Sequence, residues 1–102
     1  MTIREWLDAR TASPPPRLRA QLDAALGERA NRPVTALPEE SLAAAEALLA
    51  DLLSRPSAGR ESALDLLVVD ALVTYAFEAA AADPATLSKR AAGAMTILSA
   101  LA

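Results

Sequence analysis

The sequence contains no cysteine and no histidine among its 102 residues. Without Cys there is no disulfide and no thiolate nucleophile, and without His the usual general base near neutral pH and the commonest metal ligand are missing. Carboxylates, Arg, hydroxyls, Lys89 and Tyr75 are the groups left for chemistry. We therefore expect no catalytic residues, no metal site, no cofactor and no enzymatic activity.

Aromatic residues are also scarce, at 3 % of the chain, although apolar residues reach 53 %. Ala and Leu supply most of the apolar excess, and both favour helix, whereas the β-branched residues that favour strands are few. This composition predicts an all-α protein with an aliphatic core. At this length we expect a single helical-bundle domain over residues 1–102.

A long uninterrupted hydrophobic run is missing as well. The longest apolar stretch, residues 64–77, is broken by two aspartates and is too short to span a bilayer. Residues 1–10 include Glu5 and Asp8 and lack the continuous apolar segment of a signal peptide. We expect a soluble cytoplasmic protein that does not bind membranes.

Charge is unevenly distributed along a chain whose net charge is −3. The N-terminal third is rich in arginine, at Arg4, Arg10, Arg17, Arg19, Arg29 and Arg32, and the remainder is acidic. One interpretation is that the basic part lies on the acidic part of the same chain or of a second copy, and the other is a basic docking surface. The net negative charge argues against nucleic acid as a partner.

Helix start and stop signals divide the chain into five predicted helices. Thr2 and Glu5 form a capping-box pattern, and prolines at 16, 38 and 84 are suited to first helical positions. Gly27 is a C-terminal stop signal, and residues 56–59 have the composition of a turn. The predicted helices cover about residues 3–10, 16–27, 38–55, 60–82 and 84 onward.

The fourth predicted helix is apolar around most of its circumference. Its apolar residues fall into two groups, Leu64, Val68, Leu72 and Tyr75 on one side and Leu66, Val69, Val73 and Phe77 on another. A helix of this kind is usually buried by its neighbours. The sequence therefore predicts a compact four- or five-helix bundle around a central apolar helix at about 60–82.

Three polar residues, Asp70, Thr74 and Glu78, recur every four residues on this helix, with Tyr75 beside them. Two inward carboxylates could hold a divalent cation or act as an acid and base pair, which makes these four residues a candidate polar site in the core. The alternative is a partly exposed polar stripe, or an Asp70 paired with an Arg of the N-terminal helices. The further ligands of a metal-carboxylate centre are missing.

The ten residues from Val69 to Glu78, VDALVTYAFE, resemble the helix of trans-prenyl diphosphate synthases that carries Gly-Asp-Ala-Leu-Leu and then Ala-Phe-Glu. The tripeptide Ala91-Ala92-Gly93 is similar to a segment downstream of that helix in the same family. Val69 stands where the family has Gly, and its DDxxD motif for magnesium diphosphate does not occur. The resemblance covers about a quarter of the chain and transfers no catalytic residue.

Leucine-rich stripes on the third and last helices suggest a surface for another protein. The candidate interface residues are Trp6, Leu48, Leu52, Leu98 and Leu101. The leading hypothesis is a non-enzymatic helical protein-protein interaction module, either a homodimer or a small adaptor subunit. Its partner would be a second copy or another protein.

The alternative hypothesis is a binder of an apolar small molecule or acyl chain in the bundle core. Its cavity would lie beside Leu66, Val73 and Phe77, with Asp70 or Tyr75 supplying the polar contact. An enzyme that works through Asp70 and Glu78 is a third and weaker hypothesis.

Overall fold

The structure, a computed structural model, describes residues 1–10, 13–55 and 59–101, without the side chains at positions 60, 61, 87, 94, 97, 98 and 101. Within these residues the α-helices are α1 (Ile3–Asp8), α2 (Pro16–Leu26), α3 (Leu37–Ser54), α4 (Arg60–Ala81) and α5 (Pro84–Leu101). Two short 3-10 helices, Gly27–Asn31 and Val34–Ala36, connect α2 to α3. The predicted all-α fold class is confirmed. None of the helices described here is both long and apolar enough to cross a bilayer.

The first helix begins at the predicted capping box. The Thr2 hydroxyl accepts a hydrogen bond from the Glu5 amide at 3.2 Å, and the Glu5 carboxylate accepts one from the Thr2 amide at 2.8 Å. The hydrogen bond from the Thr2 backbone also holds the pKa of Glu5 below its usual value. The helix ends at Asp8, two residues earlier than expected.

Proline and glycine mark the other boundaries much as predicted. Pro16 opens α2 and Pro84 opens α5, while α2 ends at Leu26, directly before its C-cap residue Gly27, whose φ is +52°. The third helix begins one residue earlier than expected, at Leu37, because the second 3-10 helix runs directly into it and leaves Pro38 within its first turn. Most of the predicted turn before α4 lies outside the described residues.

Two backbone hydrogen bonds hold the N-terminus against the connection between α2 and α3. The Ile3 amide donates to the Arg32 carbonyl at 3.0 Å, and the Val34 amide donates to the Met1 carbonyl at 2.9 Å. These bonds flank an isolated bridge between Thr2 and Pro33. As a result, two apolar residues of α1, Ile3 and Leu7, are buried in the core.

The core is built mainly around the hairpin of α3 and α4. Its buried apolar residues are Ile3, Leu7, Leu22, Leu26, Ala30, Leu37, Ala44, Ala45, Val68, Leu72 and Tyr75. The fourth helix contacts α2, α3 and α5, and through Tyr75 it also meets Trp6 of α1. It is therefore the central helix of the bundle, as predicted.

The expectation that neighbours bury α4 on most sides is wrong within this chain. Its inner side, with Val68, Leu72 and Ala76, is buried, but Leu66 remains 54 % exposed and Phe77 67 % exposed. The reason is that α2 and α3 cover one side of α4, whereas α5 makes few contacts with it. One apolar side of the central helix is left open to solvent.

The leucine stripe of α3 is turned toward the edge of the bundle. The buried positions of this helix include the small residues Ser41, Ala44 and Ala45, and small side chains allow two helices to approach closely. Leu42 and Leu49 are exposed as a consequence. The predicted apolar face of α3 is thus only partly the face that packs.

Candidate functional site

The predicted polar site does not lie in the core. Asp70, Thr74 and Glu78 are all exposed. Glu78 accepts two hydrogen bonds from the guanidinium of Arg10, at 2.6 Å and 3.3 Å. The alternative of a stripe paired with an N-terminal Arg describes this arrangement better, although Glu78, and not Asp70, is the residue that pairs.

Tyr75, unlike these exposed polar residues, is buried and belongs to an aromatic contact. Its ring lies 5.7 Å from the ring of Trp6, with the two planes at 74°. The Arg10 guanidinium carbon lies 4.7 Å from the Tyr75 ring centroid and 4.8 Å from that of Trp6, which is cation-π geometry. Trp6, a candidate interface residue, is therefore engaged within its own chain.

Three of the six arginines of the N-terminal part pair with carboxylates of later helices in the described part of the chain. Arg29 and Arg32 both donate to the Glu40 carboxylate, at 2.7 Å and 2.5 Å, and Arg10 reaches Glu78. The hydrogen bond from Arg29, together with the weaker effect of that from Arg32, holds the pKa of Glu40 below its usual value. The interpretation that the basic part lies on the acidic part of the same chain therefore holds for Arg10, Arg29 and Arg32. Arg19 instead pairs with Asp8 and Asp23 of the N-terminal part itself.

Ion pairs also join the later helices. Arg55, just after α3, donates to Asp65 of α4 at 3.0 Å, and Arg90 of α5 donates to Glu39 of α3 at 2.9 Å. Arg90 further donates to the Thr35 carbonyl at 3.3 Å. The contacts of Arg90 fix the beginning of α5 near the beginning of α3.

An open apolar groove of about 390 Å³ runs between α3 and α4. Its walls are formed by Leu42, Ala45, Glu46 and Leu49 from α3 and by Val69 and Val73 from α4. The sequence predicted a cavity beside Leu66, Val73 and Phe77. Of these three residues, only Val73 lines the observed groove. It lies at the surface of the bundle, and neither Asp70 nor Tyr75 lines it.

The groove continues into a larger apolar surface along both helices. Residues three or four positions apart share one face of a helix, so Leu53 lies in line with Leu49, and Leu66 and Phe77 lie in line with Val69 and Val73. Leu53 is 79 % exposed. We call the groove residues together with Leu53, Leu66 and Phe77 the apolar α3-α4 face.

Two carboxylates border this face without a partner. Glu46 lies in the wall of the groove, and Asp70 lies one turn beyond Leu66 on the same side of α4. Both are exposed, and neither makes a hydrogen bond or ion pair within residues 1–10, 13–55 and 59–101. They are the negative charges that a molecule docked on the face would meet.

Among the described side chains, none of the candidate interface residues of the sequence lines the groove. Leu48 packs against the core and Leu52 is half-buried, while the side chains of Leu98 and Leu101 lie outside the described residues. The small residues at 41, 44 and 45 were the signal that could have identified the packed side of α3. Because these small residues occupy the packed side of α3, Leu42, Leu49 and Leu53 lie on its outer side.

The described residues contain no group of three or more acidic, His or Cys side chains that could hold a metal ion. No protein-family model, no curated protein and no solved structure matches the chain. The fold and the surface geometry together define a small all-α bundle that presents an open apolar face on one helical hairpin.

Proposed function

We propose that this chain is a non-enzymatic helical protein-protein interaction module that acts as a homodimer or as a small adaptor subunit. The observation that carries the proposal is the apolar α3-α4 face. Leu42, Leu49, Leu53, Leu66 and Phe77, all large and apolar, are between 39 % and 79 % exposed there.

Such a surface has a free-energy cost in water. Isolated exposed leucines are ordinary, but contiguous apolar patches on a small monomer commonly mark the place where another molecule binds. Transfer of apolar area out of water stabilises a complex by roughly 25 cal/mol per Å² before the costs of association are subtracted. Burial of this face therefore supplies a driving force for association.

A non-enzymatic role agrees with the chemistry of the surface. The groove is lined by aliphatic side chains and one carboxylate, and the chain contains neither His nor Cys. Glu46 is the only ionisable side chain among the described residues that line the groove. We place the module in the cytoplasm, because a chain without Cys is suited to a reducing compartment.

A pair of adjacent leucines offers a matched test. Leu66 belongs to the apolar α3-α4 face, whereas Leu67 is equally exposed, at 56 % against 54 %, and points to a different side of the same helix. We expect Leu66→Glu to abolish association and Leu67→Glu to leave it intact. Sedimentation equilibrium measures self-association, and affinity purification from the native host measures retention of a particular partner.

The proposal would be overturned if the wild-type chain were strictly monomeric and also retained no partner that Leu66→Glu releases. It would equally be overturned if Leu66→Glu and Leu67→Glu weakened association to the same extent. Circular dichroism and urea unfolding of both variants establish that the bundle is intact.

A second candidate function, the binding of an apolar small molecule or acyl chain, is supported by the groove volume of about 390 Å³, which suits a small ligand. The openness of the groove favours a protein partner, since small-ligand sites usually enclose most of their ligand. Native mass spectrometry of protein purified under mild conditions tests this candidate. A bound species that Leu49→Glu displaces would support it, and a homogeneous apo mass would exclude it.

A further inference from the structure

The last helix makes few contacts with the other helices. The ion pair of Arg90 with Glu39 holds its beginning. Beyond Arg90, every residue whose burial is described is exposed, namely those at positions 91, 92, 93, 95, 96, 99 and 100. Met95 alone is 62 % exposed.

A helix with so few packed residues needs another apolar surface against which to pack. Isolated helices of this length are marginal in water, and most helical stability in proteins comes from packing an apolar face. In the sequence of α5 the apolar positions 87, 91, 94, 95, 98 and 101 recur at helical spacing and share one face. Met95 and Ala91 represent this face among the described side chains.

We infer that α5 of one copy docks in the groove between α3 and α4 of a second copy, and that the exchange is reciprocal in a two-fold symmetric homodimer. This inference rests on the proposed function and names its partner as the chain itself. Each copy then covers both of the apolar surfaces that the other leaves open. The two surfaces are the apolar α3-α4 face and the face of α5 that contains Met95.

Charge favours this arrangement over one in which two grooves meet directly. Groove against groove would bring Glu46 and Asp70 of one copy toward the same carboxylates of the other, which costs free energy when such charges are desolvated. In contrast, α5 contains Lys89 and Arg90 and no acidic residue. Its apolar face is bordered by Ser88 and Ser99, whose hydroxyls are able to donate hydrogen bonds to carboxylates of a second copy.

The dimensions are also compatible. The 18 residues of α5 span about 27 Å, and the stripe from Leu42 to Leu53 spans about 17 Å, at a rise of about 1.5 Å per residue. Residues 91–101, the portion of α5 beyond Arg90, also span about 17 Å at this rise. This portion therefore matches the length of the stripe from Leu42 to Leu53. A reciprocal exchange contains two such contacts, and two-fold symmetry is the commonest way for a small protein to close an assembly.

The experiment uses full-length chains with one substitution each. Leu49→Glu places a charge in the groove, Met95→Glu places one on α5, and Leu67→Glu and Thr96→Glu are controls at exposed positions on other sides of the same α4 and α5 helices. Analytical ultracentrifugation gives the dimer dissociation constant. We expect each of the first two substitutions to weaken dimerisation at least tenfold, and the controls to change it less than threefold.

Mixing the two weakened variants provides a more specific test. A heterodimer of Leu49→Glu and Met95→Glu contains one undamaged contact, between α5 of the former and the groove of the latter. Native mass spectrometry of an equimolar mixture, with one variant labelled with ¹⁵N, should detect heterodimer far in excess of the twofold surplus over each homodimer that random exchange gives. Leu66→Glu replaces Leu49→Glu if the latter proves unfolded by circular dichroism.

The possible results separate the inference from the proposed function. Dimers that survive Met95→Glu but not Leu49→Glu would show association through the groove without α5, which overturns the inference and leaves the proposed function standing. If the wild-type chain does not self-associate but binds a different protein that Leu66→Glu releases, the inference is also overturned and the proposed function still stands. A mixture that forms no heterodimer, from variants that are each monomeric and folded, would also overturn the inference.

Discussion

Trp6 and Tyr75 meet edge to face, with ring centroids 5.7 Å apart and ring planes at 74°, and this contact joins the first helix to the central one. Aromatic pairs in this geometry add about 0.5–1.5 kcal/mol beyond the burial of their area. Trp6 is the only tryptophan in the chain, so its fluorescence reports on this junction directly.

Truncation of Tyr75 should therefore be costly, whereas loss of its hydroxyl should not be. Tyr75→Ala removes a ring that is only 9 % exposed, and we expect the free energy of unfolding to fall by about 3 kcal/mol. Tyr75→Phe should stay within about 0.5 kcal/mol of wild type, because the hydroxyl makes no hydrogen bond within the described residues. Urea unfolding monitored by Trp6 fluorescence measures both. Equal losses for the two variants would contradict this account.

Arg10 joins the same two helices through both its charge and its planar guanidinium, and the two contributions can be separated. Arg10→Ala removes the cation-π contacts together with the ion pair to Glu78, and we expect a loss of about 1–2 kcal/mol. Glu78→Gln keeps the stacking and should cost less than about 1 kcal/mol, since the pair is partly solvated.

Urea unfolding measures both substitutions, with Arg17→Ala as the control. Arg17 is exposed and has no ion pair in the described part of the chain, so its replacement should change stability by less than about 0.5 kcal/mol. If Glu78→Gln proved as costly as Arg10→Ala, the ion pair and not the stacking would hold Arg10 in place.

Local signals were sufficient to predict most of the fold. A capping box forms at Thr2, prolines open helices at positions 16 and 84, and Gly27 adopts a φ of +52° after α2. Each of these helix boundaries depends on residues within one turn of it. The sequence could not show which side of α3 packs. Its leucines made the stronger apolar stripe, but close approach to α4 favours the side with Ser41 and Ala44.

The candidate site was harder to predict for a related reason. A helix that is apolar on two sides needs another structural element packed against each side. Hydrophobic periodicity alone does not reveal whether the same chain supplies both of these elements. The choice of Glu78 over Asp70 as the partner of Arg10 depends on where α1 lies against α4, which is a long-range relationship. The exposure of Asp70 and of the outer leucines of α3 thus results from the way the helices pack together, which the sequence pattern does not encode.

The pairing of Glu40 with Arg29 and Arg32 makes stability depend on pH in a defined direction. Because the pKa of Glu40 is lowered in the folded protein, its contribution is fully present above the ordinary carboxyl pKa of about 4.3. The contribution is lost as the pH falls through the lowered value. We therefore expect Glu40→Gln to be less stable than wild type at pH 7 and nearly equal to it well below pH 4.

Urea unfolding at pH 7, 5 and 3 tests this expectation, with Glu46→Gln as the control. Glu46 is on the same helix but is exposed and unpaired in the described residues, so its substitution should produce a small difference that does not vary with pH. A difference between wild type and Glu40→Gln that remained constant down to pH 3 would show that the ion pairs do not contribute through the charge of Glu40.

Two glycines should respond in opposite directions to the same substitution. Gly27 adopts φ +52° and ψ −129° at the end of α2, a conformation that L-residues rarely adopt, and Gly27→Ala should lower the free energy of unfolding by at least about 1 kcal/mol. Gly93 lies inside α5, and a Cβ atom built there meets nothing within 4 Å. Since Ala favours helix over Gly by about 1 kcal/mol, Gly93→Ala should stabilise α5. Urea unfolding and helical ellipticity measure both variants. A loss of stability in Gly93→Ala would show that α5 packs closely at this position in solution, whereas an unchanged stability in Gly27→Ala would mean that α2 ends in a different conformation.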